Sequence, residues 1–184
     1  SLLPRFTEAL VREITTMYNP DGKGFENNPE FPRIINGRHY ERIKGLIEDA
    51  RAKGARFAMG GDTRAEDRYI SPTVILDVGD DMKLMREEIF GPVVVADPFD
   101  DLDEIIDRSN DSPYGLAAGI WTSDIAKAHR VAARLRAGTV WVNTYNIFDA
   151  ALPFGGYKQS GWGREMGHEV LNLYTETKAI CIGL

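Results

Sequence analysis

Cysteine is nearly absent: Cys181 is the single one in 184 residues. A lone cysteine excludes an internal disulfide framework and makes a reducing, cytoplasmic setting the expectation. Long apolar runs are missing too. None approaches the roughly 18–20 residues that cross a bilayer. The start, Ser1-Leu2-Leu3-Pro4-Arg5, lacks the basic flank and apolar stretch of a signal peptide, so no membrane partner is expected. It also lacks an initiator methionine, which leaves a fragment, a processed chain or a truncated form as alternatives. Basic clusters are missing as well. Acidic residues number 28 against 22 Lys and Arg, for a net charge of −6 with both signs scattered, and this excludes a nucleic-acid surface. His39, His129 and His168 are far apart, without metal-ligand spacing, and are expected on surfaces or helix ends.

What is present suits a soluble domain with a real core: 43% apolar and 27% charged residues are ordinary globular values. Phe6, Leu10, Ile14 and Met17 recur at helical spacing between Arg5 and Met17, with Pro4 suited to the first turn. A loop follows at Asn19-Pro20-Asp21-Gly22, then a helix from Arg38 to Lys53 stopped by Gly54. Arg56–Met59, closed by Gly60-Gly61, and Pro72–Val78 read as strands. Val93-Val94-Val95 reads as a strand buried on both faces. Asp100–Asn110 is predicted helical, with Leu102, Ile105 and Ile106 facing inward. Ala117–Trp121 is a strand, and Ser123 is expected to cap a helix carrying Ile125, Ala128, Ala132 and Leu135 that ends at Gly138. Thr139–Val142 is the next strand, Arg164–Leu173 a short helix, and Thr175–Ile182 a strand-like tail. Alternation of this kind predicts an α/β fold, a largely parallel twisted sheet with helices on both faces. Sites in such folds lie beyond the C-terminal ends of strands, which directs attention to the long loop from Asn143 to Gly163.

Two segments carry the unusual chemistry. Glu87-Glu88-Ile89-Phe90-Gly91-Pro92 sits at the mouth of the Val93–Val95 strand, and Pro153-Phe154-Gly155-Gly156-Tyr157-Lys158-Gln159-Ser160-Gly161 lies in the long loop. Taken alone, the first reads equally as solvated acids and the second as a tight turn. Neither is a nucleotide cradle. Trp162 stands where a Walker loop needs lysine, and Gly161, Gly163 and Gly167 are spaced wrongly for the dinucleotide fingerprint.

Together with Tyr114-Gly115-Leu116-Ala117-Ala118, Gly138-Thr139-Val140-Trp141-Val142-Asn143 and Tyr174-Thr175-Glu176-Thr177-Lys178, these segments resemble successive signatures of the aldehyde dehydrogenase superfamily. Order and spacing are similar to its C-terminal region across essentially the whole chain. Residues Asn28 to Asp77, with Arg33-Ile34-Ile35-Asn36 and Arg38-His39-Tyr40, resemble the branch acting on coniferyl, aromatic and fatty aldehydes. From Asp100 onward the chain resembles the tetrameric cytosolic and mitochondrial type and the betaine and phenylacetaldehyde enzymes.

The resemblance implies oxidation of an aldehyde to an acid with NAD or NADP. A cysteine thiolate would form a thiohemiacetal that gives up hydride, and a glutamate would activate water against the thioester. It also implies that nucleophile, base and most of the cofactor cradle precede this segment, so that the chain alone is inactive. Cys181, with no His or basic neighbour, is expected to pack rather than react. By the same resemblance Glu88 accepts hydrogen bonds from the nicotinamide ribose, and Phe90 packs near it unless it is a core phenylalanine. Asn146, Phe148 and Phe154 line the substrate tunnel, while Glu165 relays a proton unless it merely caps a surface helix. Lys158 and Gln159 read as loop structure, Trp141 and Trp162 as packing. Residues 1–173 would be a partial catalytic domain, incomplete at its N-terminal side. Residues 174–184 would be a strand of the oligomerisation sheet, left here as an open edge, in a parent that is a homodimer or homotetramer. A stand-alone binding or oligomerisation module, or a structural parent that has lost activity, are the competing readings.

Overall fold

Helix α1 (Leu3–Tyr18) has Pro4 in its first turn, where a missing N–H costs nothing. The computed structural model describes residues 2–184, divided into two units that meet between Pro98 and Phe99. In the first unit α1 turns Leu3, Leu10, Val11 and Ile14 onto Val74, Leu76 and Ala96. Phe6 and Met17 lie off that stripe and are exposed, contrary to the expected face. Helix α2 (Gly37–Ala52) starts where the Asn36 side chain accepts the His39 amide at 2.9 Å. It ends in a Schellman turn. Gly54, at φ +86°, donates to the Arg51 carbonyl, and Ala55 donates to that of Ala50.

Strands β1 (Arg56–Met59), β2 (Thr63–Arg64), β3 (Tyr69–Ile70), β4 (Thr73–Leu76) and β5 (Val93–Val95) follow. Among these, β4 is the centre of a three-stranded sheet, antiparallel to β1 and parallel to β5. Alternate side chains of β4 go to opposite faces: Ile75 joins Tyr40, Ile43, Leu46 and Ile47 of α2, while Val74 and Leu76 meet α1. This sheet therefore carries a helix on each face. Val94 is paired with Val74, on the α1 face, yet is 46% exposed. The expectation of a strand buried on both faces fails there, because β5 is an edge strand and the residues that α1 packs on belong to β1, β4 and Ala96.

In the second unit, Asp101 caps α3 (Leu102–Asn110) by accepting the amides of Asp103 and Glu104. Strands β6 (Tyr114–Gly115) and β7 (Ala117–Ile120), helix α4 (Ile125–Arg134), and strands β8 (Thr139–Val142) and β9 (Tyr157–Lys158) follow, then α5 (Leu171–Tyr174). β7 and β8 pair in parallel across α4, as the alternation predicts. The cap of α4 is Asp124 rather than Ser123, and the helix stops at Arg134 rather than Gly138. Asn110 explains the early stop: its amide donates to the Arg134 carbonyl at 2.9 Å and accepts the Arg136 amide at 2.7 Å. Arg164–Gly167 is not helical either. Met166 at φ +59° and Gly167 at φ +64° break the turn, and Phe154 and Glu165 exchange backbone hydrogen bonds at 2.7 Å. A 3₁₀ turn at His168–Val170 leads into α5. The tail from Thr175 forms no ladder among the described residues, and Cys181 is exposed rather than packed.

The β2–β3 hairpin is tied down by Asp67. Its carboxylate accepts two bonds from Arg64 and one from Arg33, each at 2.8 Å. Both guanidinium groups also lie over the Tyr69 ring, at 4.9 and 5.4 Å from its centroid. Burial pushes the Tyr69 phenol up to about 12. The Arg64 and Arg33 hydrogen bonds hold the Asp67 carboxyl well below the usual carboxylate range. A carboxylate whose pKa is lower folded than unfolded stabilises the fold above its unfolded value of about 3.9, and that contribution disappears as pH falls toward the folded value. Asp67→Asn should therefore be less stable than the parent at pH 7, with the gap closing below about pH 4. Urea melts across that range check this; a gap independent of pH would contradict it.

Candidate functional site

The sequence-predicted site residues fall in both units. In the first, Glu87–Pro92 forms the entry to β5, where the Pro92 carbonyl accepts the Thr73 amide at 2.9 Å. Gly91 sits flat on α2: a Cβ there would stand 2.8 Å from Cδ1 of Ile43. Phe90 precedes it at φ +48°, a left-handed conformation that costs an aromatic residue roughly 1–2 kcal/mol. It is 82% exposed in this chain, outside the core of the unit. Glu88 is exposed beside it. The backbone carrying both is held from α2. Arg42 donates Nη1 to the Glu88 carbonyl at 2.8 Å and Nη2 to the Ile89 carbonyl at 2.6 Å. Glu88 and Phe90, two residues apart, are both exposed on this segment. A carboxylate could accept from paired hydroxyls and an aromatic ring could bound a planar group.

In the second unit, the loop after β8 is organised by an aromatic series. Trp141 on β8 meets Tyr145 at 5.1 Å and Phe148 at 5.8 Å between centroids, and Phe148 meets Phe154 at 5.0 Å, edge to face. Trp141 is buried, and its indole N–H donates to the Ile147 carbonyl at 2.9 Å. One side chain thus grips the loop at Tyr145, Ile147 and Phe148, on either side of Asn146, whose φ is +58°. Asn146 itself is exposed. Phe154 and Glu165 are cross-strand partners and line one depression with Gly155, Trp162 and Tyr174. Glu165 is therefore not the cap of a surface helix, and Trp162, at 95% exposed, is not a packing residue. A Cβ on Gly138 would lie 1.6 Å from the Gly155 carbonyl oxygen, so only glycine allows this contact. Arg164 closes the glycine loop, stacking 5.1 Å from the Tyr157 centroid and donating to the Gly156 and Gly163 carbonyls. The ammonium of Lys158 donates to the Asn110 and Ser112 carbonyls, a structural role, and the backbone N–H of Gln159 donates to the Pro113 carbonyl.

The model of the aldehyde dehydrogenase family matches residues 1–180. The chain belongs to that family. It is 44% identical to an aldehyde dehydrogenase of Agaricus bisporus over 183 residues, 99% of this chain and 35% of that protein. It is 46% identical to a mitochondrial aldehyde dehydrogenase of Leishmania tarentolae over 86% of this chain and 32% of the relative. An NAD+ complex of aldehyde dehydrogenase from Bacillus cereus superimposes with a TM-score of 0.79 at 48% identity, covering 94% of this chain and 36% of that one. The chain thus spans about a third of the length of the curated relatives it matches. All five motif segments lie within the matched residues, and the α/β architecture is that of the family.

Two contributors escaped the sequence reading. Arg42 lies on a half-exposed turn of α2, and its acceptors are 46 and 47 residues away, beyond any periodicity. Trp141 was readable as packing, but not the direction of its N–H. In this aldehyde dehydrogenase segment Trp141→Phe keeps an aromatic ring but loses that bond and part of the indole's contacts, the bond alone being worth about 1 kcal/mol. Amide exchange at residues 145–148 should speed up while the β7–β8 amides keep their protection. Unchanged exchange across the loop would show that ring contacts alone hold it.

Proposed function

We propose that this chain is the C-terminal part of an NAD(P)-dependent aldehyde dehydrogenase, contributing the nicotinamide-ribose contact and one wall of the aldehyde tunnel. The observation that carries the reading is the pairing of exposed Glu88 with exposed, left-handed Phe90 on a backbone pinned from α2. An aromatic side chain held in a costly backbone conformation and left open in this chain is available to pack against a group outside it. NAD or NADP, when bound, supplies the hydride acceptor. Glu88 would hold the ribose hydroxyls through its two oxygens, and Phe90 would bound the ring's position. Asn146, Phe148 and Phe154 would present the tunnel wall, whose aromatic edges favour an apolar aldehyde. Glu165, exposed beside Phe154, would pass a proton toward solvent.

Cys181 is the only thiol of the chain, exposed on a tail that forms no ladder among the described residues. The nucleophile and the general base would therefore come from elsewhere in a longer protein, with residues 1–173 as part of its catalytic domain. Residues 174–184 would be a strand of the oligomerisation sheet in a homodimer or homotetramer. No helix among the described residues is long and apolar enough to cross a membrane; a cytoplasmic location belongs to the same proposal. Purified residues 1–184 should form no NADH or NADPH from aldehydes. Turnover abolished by Cys181→Ser would sink this assignment of the nucleophile.

In the full-length enzyme carrying this segment, Glu88→Gln keeps size but loses charge and one good acceptor. Loss of a charge-assisted contact of about 1.5–3 kcal/mol lowers the rate constant roughly ten- to a hundred-fold. The loss should fall on hydride transfer, where misplacement of the ring is felt first. A slower variant with a larger deuterium isotope effect on the aldehyde hydrogen is expected. Parent-like turnover with an ordinary cofactor Michaelis constant would reduce Glu88 to a solvated acid.

A further inference from the structure

We infer that Arg42 is a positioning residue for the cofactor, acting through the backbone of Glu88 and Ile89 and not by touching the ligand. The inference rests on the reading of Glu88 and Phe90 given above. Arg42 stands next to Ile43, which is fully buried in the core, so its stem starts from a fixed point. Its two terminal nitrogens reach two consecutive carbonyls, at 2.8 and 2.6 Å. The second of these belongs to the peptide that enters Phe90. Rotation of that peptide plane is what the φ of Phe90 measures, so holding its oxygen holds Phe90 at φ +48°. On the other side of the same residue, Gly91 is seated on the Ile43 side chain. Phe90 is therefore clamped between two attachments to one helix, Arg42 before it and Ile43 after it.

The chemistry requires arginine. A guanidinium presents several N–H donors in a rigid plane and can serve two acceptors at a fixed separation, whereas an ammonium is a point charge on a flexible stem. Lysine at position 42 would keep the charge near the two carbonyls but not their relative orientation. Methionine would keep most of the stem's packing and free both carbonyls to solvent. In neither variant is a core residue altered, and neither removes a group that would contact the ribose.

The test uses the full-length enzyme carrying this segment and compares Arg42→Lys, Arg42→Met, Glu88→Gln and the Arg42→Met/Glu88→Gln double variant. Cofactor affinity is read directly by titrating NAD, and NADP in parallel, against intrinsic tryptophan fluorescence without aldehyde. The isotope effect is read at saturating substrates. Arg42→Met should weaken cofactor binding roughly ten-fold, the scale of one charge-assisted bond. It should also raise the isotope effect while the melting temperature stays within a few degrees of the parent. Arg42→Lys should fall between, and the double variant should be little worse than its weaker parent, since both changes act on one contact. Parent-like affinity and isotope effect in Arg42→Met, with Glu88→Gln impaired, overturn the role of Arg42 and leave the Glu88 reading standing. A lower melting temperature without either effect makes Arg42 purely structural and overturns it too. Silence of Glu88→Gln overturns the underlying reading and this inference with it. If Arg42→Met does not fold, Arg42→Lys decides: parent-like cofactor binding there is the negative result.

Discussion

Burial of β4 on both faces is the constraint from which the first unit follows. All four of its residues are buried, and Ile75 and Val74 lose all contact with solvent. A four-residue strand in that position needs a helix above and below, and the unit supplies α1 and α2 from opposite ends of a single crossing of the chain. It also needs ladder partners on both edges. β1 provides one by turning back through Gly60 and Gly61, and β5 provides the other in parallel. A parallel partner cannot arrive by a tight turn. The chain must leave β4, cross the end of α2 and re-enter beside Thr73, and the segment Glu87–Pro92 is the last part of that return. The exposed pair Glu88 and Phe90 is located by this topology before any side chain acts.

Return over α2 also explains how a solvent-facing segment stays fixed. Loops usually gain order from their own turns. Here the attachment is to the helix: the Arg42 fork takes two carbonyls, the Ile43 side chain receives Gly91, and the Lys83 amide earlier in the crossing donates to Asp49 at 2.9 Å. Since α2 is itself fixed by Tyr40, Ile43, Leu46, Ile47 and Ala50 in the core, the rigidity of the β4 sandwich is passed to the lip of β5. The second unit achieves a similar end with different materials. Its loop after β8 is held by one indole and by the close approach of Gly138 to Gly155.

What could be read from the sequence divides by range. Both long helices follow from apolar spacing and the end of α2 from Gly54, because those signals sit within a few residues of what they determine, whereas its Asn36 cap escapes that reading. Strands β4 and β8 follow from short β-favouring runs, and β1 and β7 from short runs bounded by glycine. The failures involve partners distant in sequence. Gly138 looks like the stop of α4, but Asn110, from another helix, ends it earlier. Arg164–Gly167 has the composition of a helix start, yet its backbone is claimed by Phe154. Phe6 and Met17 match the helical period of α1 but miss the stripe that the sheet surface selects. At the candidate site Glu88, Phe90, Asn146, Phe148, Phe154 and Glu165 are suggested by resemblance alone. Periodicity contributes nothing there, because these side chains are not used for packing the core.

That last point separates function from folding at Phe90. Residues selected for stability combine burial with relaxed backbone; most positive-φ positions in this chain are glycines or small polar residues at turns. Phe90 inverts both rules. Its ring is exposed in this chain, and its backbone is held in a conformation costing roughly 1–2 kcal/mol. Glycine would relieve the backbone cost. Local and global requirements agree almost everywhere else in this unit, and Phe90 is where they part.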